Sequence, residues 1–420
     1  MIFRELVIFF ATVMVLCAVV PFVQAAGPQW TVTASQGVDL SSVAISADGS
    51  TIVAGGDQLI VLSPDGDRLW TGWSGTAVDL SGDGSYILTA QGTSVRLFNR
   101  AGTKLWDQYF GTAVADVSIA PDATLIAAGG GGTIETWYNS GVGLGINTTG
   151  VPADTVRHVR ISPAKDQVIV TTSGALRSFN ISCVQNWYND TISPDLVEMS
   201  ADGNGFVIPV GNHVRLYHSS GTRLWDTAIP GGNVISLAYS RDGSTIIVGR
   251  DDGTTGALDA NGTILWVKKT GYWATSVGVS ANGSVIAVGS LDKNLYMFDR
   301  KGDLLGSYQA SGPIHSNSVA VSGDGSLIVV VDGSDVYGFS TPQLPGAVVP
   351  GGTSAVAATS PAPAATPDLL PYATPGESVS PARQAATVSQ LPATTQGPGF
   401  PWGSAVLSIA LVALVRIMRR

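Results

Sequence analysis

A glycine followed four residues later by a tryptophan returns along this chain about every forty residues, as Gly66-Asp67-Arg68-Leu69-Trp70, Gly102 with Trp106, Gly221 with Trp225 and Gly262 with Trp266. A further copy opens on Cys183 in place of glycine and closes on Trp187. Two more keep the frame but carry Gly145 and Gly306 where the ring would stand, and a partial copy sits at Trp30. The series 30, 70, 106, 145, 187, 225, 266, 306 is too regular for unrelated elements. It calls for one supersecondary unit stacked on copies of itself, since such a unit cannot bury its apolar face alone.

A second phrase interlocks with the first. It begins with Val43-Ala44-Ile45-Ser46-Ala47-Asp48-Gly49-Ser50 and recurs at 78–85, 117–124, 197–204, 237–244, 277–284 and 319–326, with a degenerate eighth copy at 159–167. Apolar and small residues alternate, the period-two pattern of a half-buried strand, and run into Asp-Gly or Asn-Gly. Those dipeptides accept positive φ and close tight hairpins. A β-rich run follows, then a Gly-rich break, then a run ending in an aromatic such as Val95-Arg96-Leu97-Phe98, and the glycine–tryptophan phrase supplies a fourth strand. The expected fold is all-β, an eight-bladed β-propeller of four-stranded antiparallel blades over residues 27–340. The last unit stops at Val336-Tyr337-Gly338-Phe339 with no fourth strand, and the missing strand stands at the other end of the chain, in Trp30-Thr31-Val32-Thr33. The N-terminal strand is therefore expected to close the ring and hide an open edge. A seven-bladed count would have to discard the poor fourth copy. The tryptophans are expected to pack between neighbouring blades.

Ser-x-Asp-Gly-Ser after a short strand resembles the WD40-like repeats of bacterial and archaeal propellers. The run Ala257-Leu258-Asp259-Ala260-Asn261-Gly262-Thr263-Ile264-Leu265-Trp266 is similar to the repeat of pyrroloquinoline-quinone propellers, one residue shorter. The resemblance covers residues 28–340 and implies an eight-bladed fold whose members range from dehydrogenases to assembly scaffolds. Such dehydrogenases need carboxylate and amide ligands for a metal, an aspartate base and often a pair of adjacent cysteines, and no Cys-Cys pair occurs here. His158, His213, His218 and His315 are scattered among different units without metal-ligand spacing, and most aspartates sit in Asp-Gly turns. No Gly-x-Ser-x-Gly elbow in a strand-to-helix setting supports a hydrolase. No catalytic residue, metal or cofactor is expected.

Residues 1–26 read as a secretory signal, with Arg4, an apolar run and a small-residue exit at Val23-Gln24-Ala25-Ala26. Its removal would leave Cys183 as the one cysteine, at a turn position where sister units hold glycine, and it is expected to be an incidental exposed thiol. Residues 341–397 shift to Pro, Ala, Thr and Ser with almost no charge, the composition of a disordered stalk. Residues 398–420 comprise Pro398-Gly399-Phe400, an apolar helix-length run from position 401 to 415, and a basic end at Arg416, Arg419 and Arg420. This tripartite end resembles the PGF-CTERM sorting signal of archaea, which implies an archaeosortase that exchanges it for a lipid anchor. An ordinary transmembrane anchor is the alternative.

The formal charge of −9 opposes nucleic-acid binding, which needs a basic face. Five sequons, at Asn147, Asn180, Asn189, Asn261 and Asn282, suit an exported glycoprotein. In a meander blade the crossings between blades share one rim with the second-to-third turns, and no sequon falls in a crossing. Those loops carry Trp73, Phe110, Asp154, Arg157, His158, Tyr272, Trp273, Ile314 and His315. Exposed aromatics on loops of a rigid scaffold suit recognition of a protein or glycan, while rings that plug the channel or pack under a loop would be structural. The sequence thus reads as a noncatalytic cell-surface binding module on a stalk. Its alternatives are a structural envelope or surface-layer component and a quinoprotein-like enzyme.

Overall fold

A computed structural model describes residues 27–148 and 154–341. The expected signal, stalk and sorting signal lie outside the described residues. Among the described residues there are eight four-stranded antiparallel sheets and no α-helix. The chain is an eight-bladed β-propeller. Seven blades are continuous meanders: blade 1 (40–72), blade 2 (77–109), blade 3 (116–148), blade 4 (156–189), blade 5 (198–228), blade 6 (234–269) and blade 7 (274–309). Blade 8 takes three strands from 319–340 and its outer strand, Trp30–Thr33, from the other end of the chain. Trp30 pairs with Gly338 and Val32 with Val336, so the N-terminal strand does close the ring.

The core is a set of layers between blades rather than one central mass. Val53, Leu59 and Val61 of blade 1 pack on Leu80, Ile87 and Phe98 of blade 2, and each further cluster likewise joins neighbours. Second strands such as Ile52–Gly56 and Leu125–Gly130 are buried along their whole length because they have sheet on both faces and strands on both edges.

The Ser-x-Asp-Gly turn is a small hydrogen-bonded cage. Ser46 Oγ donates to Asp48 Oδ1 (2.6 Å), the same oxygen accepts the Ser50 N–H (3.0 Å), and Ser46 Oγ accepts the Thr51 N–H (3.0 Å). The cage recurs at Ser81, Ser200, Ser240, Ser280 and Ser322. Gly49 supplies the left-handed φ of 73°; in the degenerate blade 4, Lys165 is forced to 58°.

The glycine and tryptophan of the repeated phrase serve different neighbours. Each indole lies on the turn glycine of the next blade and donates its N–H to a carbonyl of that turn: Trp30 to Pro64, Trp70 to Arg100, Trp106 to Asn139, Trp187 to Ser219, Trp225 to Ala260 and Trp266 to Arg300, at 2.8–3.1 Å. The tryptophan is absent in blade 7, whose neighbour has no third-to-fourth hairpin, and in blade 3. At Gly145 a Cβ would lie 2.3 Å from the Ser182 backbone, so the turn of blade 4 has closed onto blade 3. With no ring to receive, position 183 need not be glycine. Cys183 is 2 % exposed at φ 58°, its Sγ 3.4 Å from Thr136 Oγ1, and burial pushes its thiol pKa up. The expectation of an exposed thiol is therefore corrected.

A belt of backbone hydrogen bonds joins the first-to-second turns of successive blades, through Asp48 N–H to Gly82, Gly82 to Pro121, Ala201 to Arg241, Asp242 to Ala281, Ala281 to Gly323 and Gly323 to Ala47. It is interrupted after blades 3 and 4, where the donor position is Pro121 or Pro163 and has no N–H. The junction of blades 3 and 4 thus lacks both repeating links.

Candidate functional site

A central channel of 1140 Å³ is lined by the first strands of the eight blades. Blades 2 to 5 contribute Asp79, Asp116, His158, Arg160 and Glu198 to its wall, and the other blades contribute mostly apolar and small residues such as Val43, Ser276 and Val319, with Tyr239 and Arg241 from blade 6. First strands are sheet edges, and polar side chains of one blade cap the free N–H groups of the next. Asp79 accepts Ile119 N–H (2.9 Å), Asp116 accepts Val159 N–H (3.0 Å) and Ser276 Oγ accepts Val319 N–H (3.1 Å).

At the junction of blades 3 and 4 the capping grows into a network. Asp116 Oδ2 also accepts from Arg160 Nη1 (2.8 Å) and lies 3.1 Å from His158 Nδ1, while Arg160 Nη2 donates to Glu198 of blade 5 (3.0 Å). Lys165 pairs with Asp122 across the same junction. Burial pushes Asp79 up to about 6. Burial also acts on Asp116, but Arg160 and His158 outweigh it and hold that carboxyl at about 2. The sequence held a signal for this network: one register position reads Ala44, Asp79, Ser118, Arg160, Glu198, Ala238, Gly278 and Ala320 around the ring, with opposite charges on the adjoining blades 4 and 5.

The crossing-loop residues do not form one face. Phe110 is 3 % exposed against Trp137, and Ile314 is fully buried; both are core. Asp154, 4 % exposed, receives Arg177 Nη2 (2.7 Å) and Nε (3.2 Å) and the Gly174 N–H (2.9 Å), which makes it a buried structural pair. Arg157 pairs with Asp195, and it lines the channel together with His158. His315 is exposed on its loop. Trp73 is half exposed at a left-handed φ of 40°, with Lys104 Nζ 4.5 Å above its ring and Arg96 at 5.4 Å, both paired with Asp107.

Tyr272 and Trp273 are the exposed aromatic pair of these loops, 53 % and 41 % exposed and stacked at 5.8 Å with 13° between planes. Their backbone is fixed on both sides. Gly271 N–H donates to Asp292 Oδ2 (2.6 Å), Tyr272 O accepts from Thr270 Oγ1 (2.6 Å) and Ser290 Oγ (3.0 Å), and Trp273 O accepts Leu291 N–H (3.1 Å). Gly271 matters here because a Cβ would lie 2.3 Å from Asp292.

For chemistry, the histidines are dispersed among structural partners: His158 on Asp116, His213 on Asp226 (2.6 Å), and His218 accepting the Ser220 N–H in an exposed turn. Among the described residues no group of three or more His, Cys, Asp or Glu is arranged to hold a metal. No helix among them is long and apolar enough to cross a membrane.

No family model and no curated protein matches the chain. Solved structures do. Sqt1 of Chaetomium thermophilum, crystallised with the N-terminus of the ribosomal protein L10, matches at 14 % identity over 72 % of this chain and 97 % of its own, with a TM-score of 0.61. The C-terminal WD40 domain of Sif2 matches at 15 % identity over 76 % of this chain and 99 % of its own, with a TM-score of 0.65. At that identity the likeness establishes a WD40-type propeller fold.

Proposed function

We propose that this chain is a noncatalytic binding module that recognises a protein or glycan partner through its crossing-loop rim. The observation that carries the reading is the Tyr272–Trp273 stack, two large rings left in solvent on a loop whose backbone is hydrogen-bonded in place. Rigid exposed aromatics lose little conformational entropy on binding and anchor interfaces. The propeller of Sqt1, crystallised with the N-terminus of another protein, is a precedent for protein binding by this fold.

We place the module at an archaeal cell surface. The signal-like residues 1–26, the Pro/Thr/Ala/Ser-rich stretch 341–397 and the PGF-CTERM-like end with Pro398, Gly399 and Phe400 support export, a stalk and anchoring by a membrane segment or a lipid installed by an archaeosortase. The test is an affinity capture with residues 27–345 on an envelope fraction. Tyr272→Ala with Trp273→Ala should leave the Tm within a few degrees of the parent and abolish capture of a saturable partner. A large drop in Tm, or capture unchanged, would overturn the assignment of this pair.

A further inference from the structure

The two ends of the central channel differ in chemistry. Toward the crossing loops its wall carries Arg157, His158, Asp116 and Asp195, which pair with one another, Arg157 with Asp195 and His158 with Asp116. Toward the opposite rim, where the first-to-second turns stand, the wall is an apolar belt. The last residue of the first strand is Ile, Leu, Met or Val in seven blades, from Ile45 in blade 1 to Val321 in blade 8, and Tyr239 in blade 6. Two residues further on stands Ala, Gly or Pro in seven blades, from Ala47 to Gly323, and Arg241 in blade 6. All of these residues line the channel. At both positions one blade alone brings a polar group to the ring.

The two groups sit together at the mouth. The Tyr239 hydroxyl lies over Gly243 of its own turn, where a Cβ would be 3.4 Å away. Neither that hydroxyl nor the exposed Arg241 guanidinium has a hydrogen-bond or ion-pair partner among the described residues, whereas Arg160 is held by Asp116 and Glu198. Burial, with the charges of Asp202 and Asp242, pushes the Tyr239 pKa up, so the hydroxyl stays a protonated donor. Those two carboxylates are engaged in their turn cages, Asp202 by Ser200 Oγ (2.5 Å) and Asp242 by Ser240 Oγ (2.8 Å), as Asp48, Asp83 and Asp324 are in theirs. The Arg241 backbone is fixed on both sides. Its carbonyl accepts Ala201 N–H (3.2 Å), and the Asp242 N–H donates to Ala281 (2.9 Å).

We propose that this end of the channel binds a monocarboxylate with a linear apolar tail, its carboxylate on Arg241 and the Tyr239 hydroxyl and its tail along the belt. A guanidinium offers a carboxylate two parallel N–H donors, and ligand sites combine mostly apolar walls with a few convergent polar groups. The charge of Arg241 selects against a cationic head. A channel of 1140 Å³ admits a chain-like molecule. The site is on the rim away from Tyr272 and Trp273, so it is independent of the partner reading above.

The test titrates octanoate, octan-1-ol and octyltrimethylammonium into the full chain by calorimetry. Octanoate should bind saturably, octanol at least about tenfold more weakly, and the cation not at all. Arg241→Ala should weaken octanoate by about tenfold and leave octanol unchanged, with part of the loss recovered in Arg241→Lys. Tyr239→Phe should weaken octanoate a few-fold. Because the Arg241 side chain holds no other group, the Tm of the unliganded Arg241→Ala chain should match the parent. Octanoate should also protect Arg241 from phenylglyoxal in peptide mass spectrometry while Arg223, exposed on the outer wall, reacts as before, a comparison that needs no substitution. Absence of octanoate binding, equal binding of the cation, or an octanoate affinity blind to Arg241→Ala would each overturn the proposal.

Discussion

At the residue scale, the two halves of the repeated phrase are selected by different partners. A tryptophan is retained where the next blade offers a turn to receive it, and a glycine where the preceding blade sends a ring. Trp225 and Gly262 form such a pair across the junction of blades 5 and 6, with Trp225 Nε1 3.0 Å from Ala260 O. Trp225→Phe removes the N–H donor together with the pyrrole half of the indole, so chemical denaturation should show a loss of at least about 1 kcal/mol. Gly262→Ala should cost more than about 1 kcal/mol, because the backbone stands at φ 79° and the new Cβ would come 2.7 Å from the indole. A Gly262→Ala chain as stable as the parent would mean that the ring is not seated on this glycine. Gly145 and Cys183 show the same rule in its absence: both depart from the phrase, and across one junction Gly145 lies against the Ser182 backbone while Cys183 lies against Thr136. The periodicity was legible from spacing alone, whereas this pairing was not, since residues four apart in a strand invite the assumption that they serve each other.

At the element scale, the inner strands show how a propeller satisfies its channel edge. Asp79 and Asp116 do equivalent work in neighbouring strands but titrate in opposite directions. Asp79, raised to about 6, favours its neutral form in the folded state, so its contribution is present below about pH 4 and is lost as pH rises through 6. Asp116, held at about 2, contributes above about pH 4, and that contribution, on the order of 2 kcal/mol, is lost as pH falls toward 2. Asp116→Asn should flatten the acid limb of a stability–pH profile, and Asp79→Asn the limb between pH 4 and 7. A profile unchanged by either substitution would remove these carboxylates from the account. The Asp-Gly turns were legible because a short polar residue before glycine has a local reason to exist. The channel network was not, since its members lie about forty residues apart and meet only when the sheets are set around an axis.

At the scale of the whole molecule, the ring has two special junctions. One is the closure, where Trp30–Thr33 completes blade 8 and Trp30 reaches Pro64 of blade 1. Deleting residues 27–36 should expose the edge of Asp335–Ser340, remove one indole link and yield a chain that aggregates or melts at clearly lower temperature, as size-exclusion chromatography and calorimetry would show. A monomer of unchanged Tm would mean that closure contributes little. The other is the junction of blades 3 and 4, where side-chain ion pairs stand in for the tryptophan and the backbone belt.

The sequence by itself determined the number of blades, the strand order within each, the turn chemistry and the closing strand, because a repeat states the same local rules eight times over. Tertiary structure decided which loop residues are surface and which are core. Phe110, Asp154 and Ile314 occupy crossings like Tyr272 and Trp273, yet they are buried by neighbours from other blades, and only the meeting of distant segments fixes that. Burial is a property of the assembled ring, whereas strand and turn are properties of a few adjacent residues.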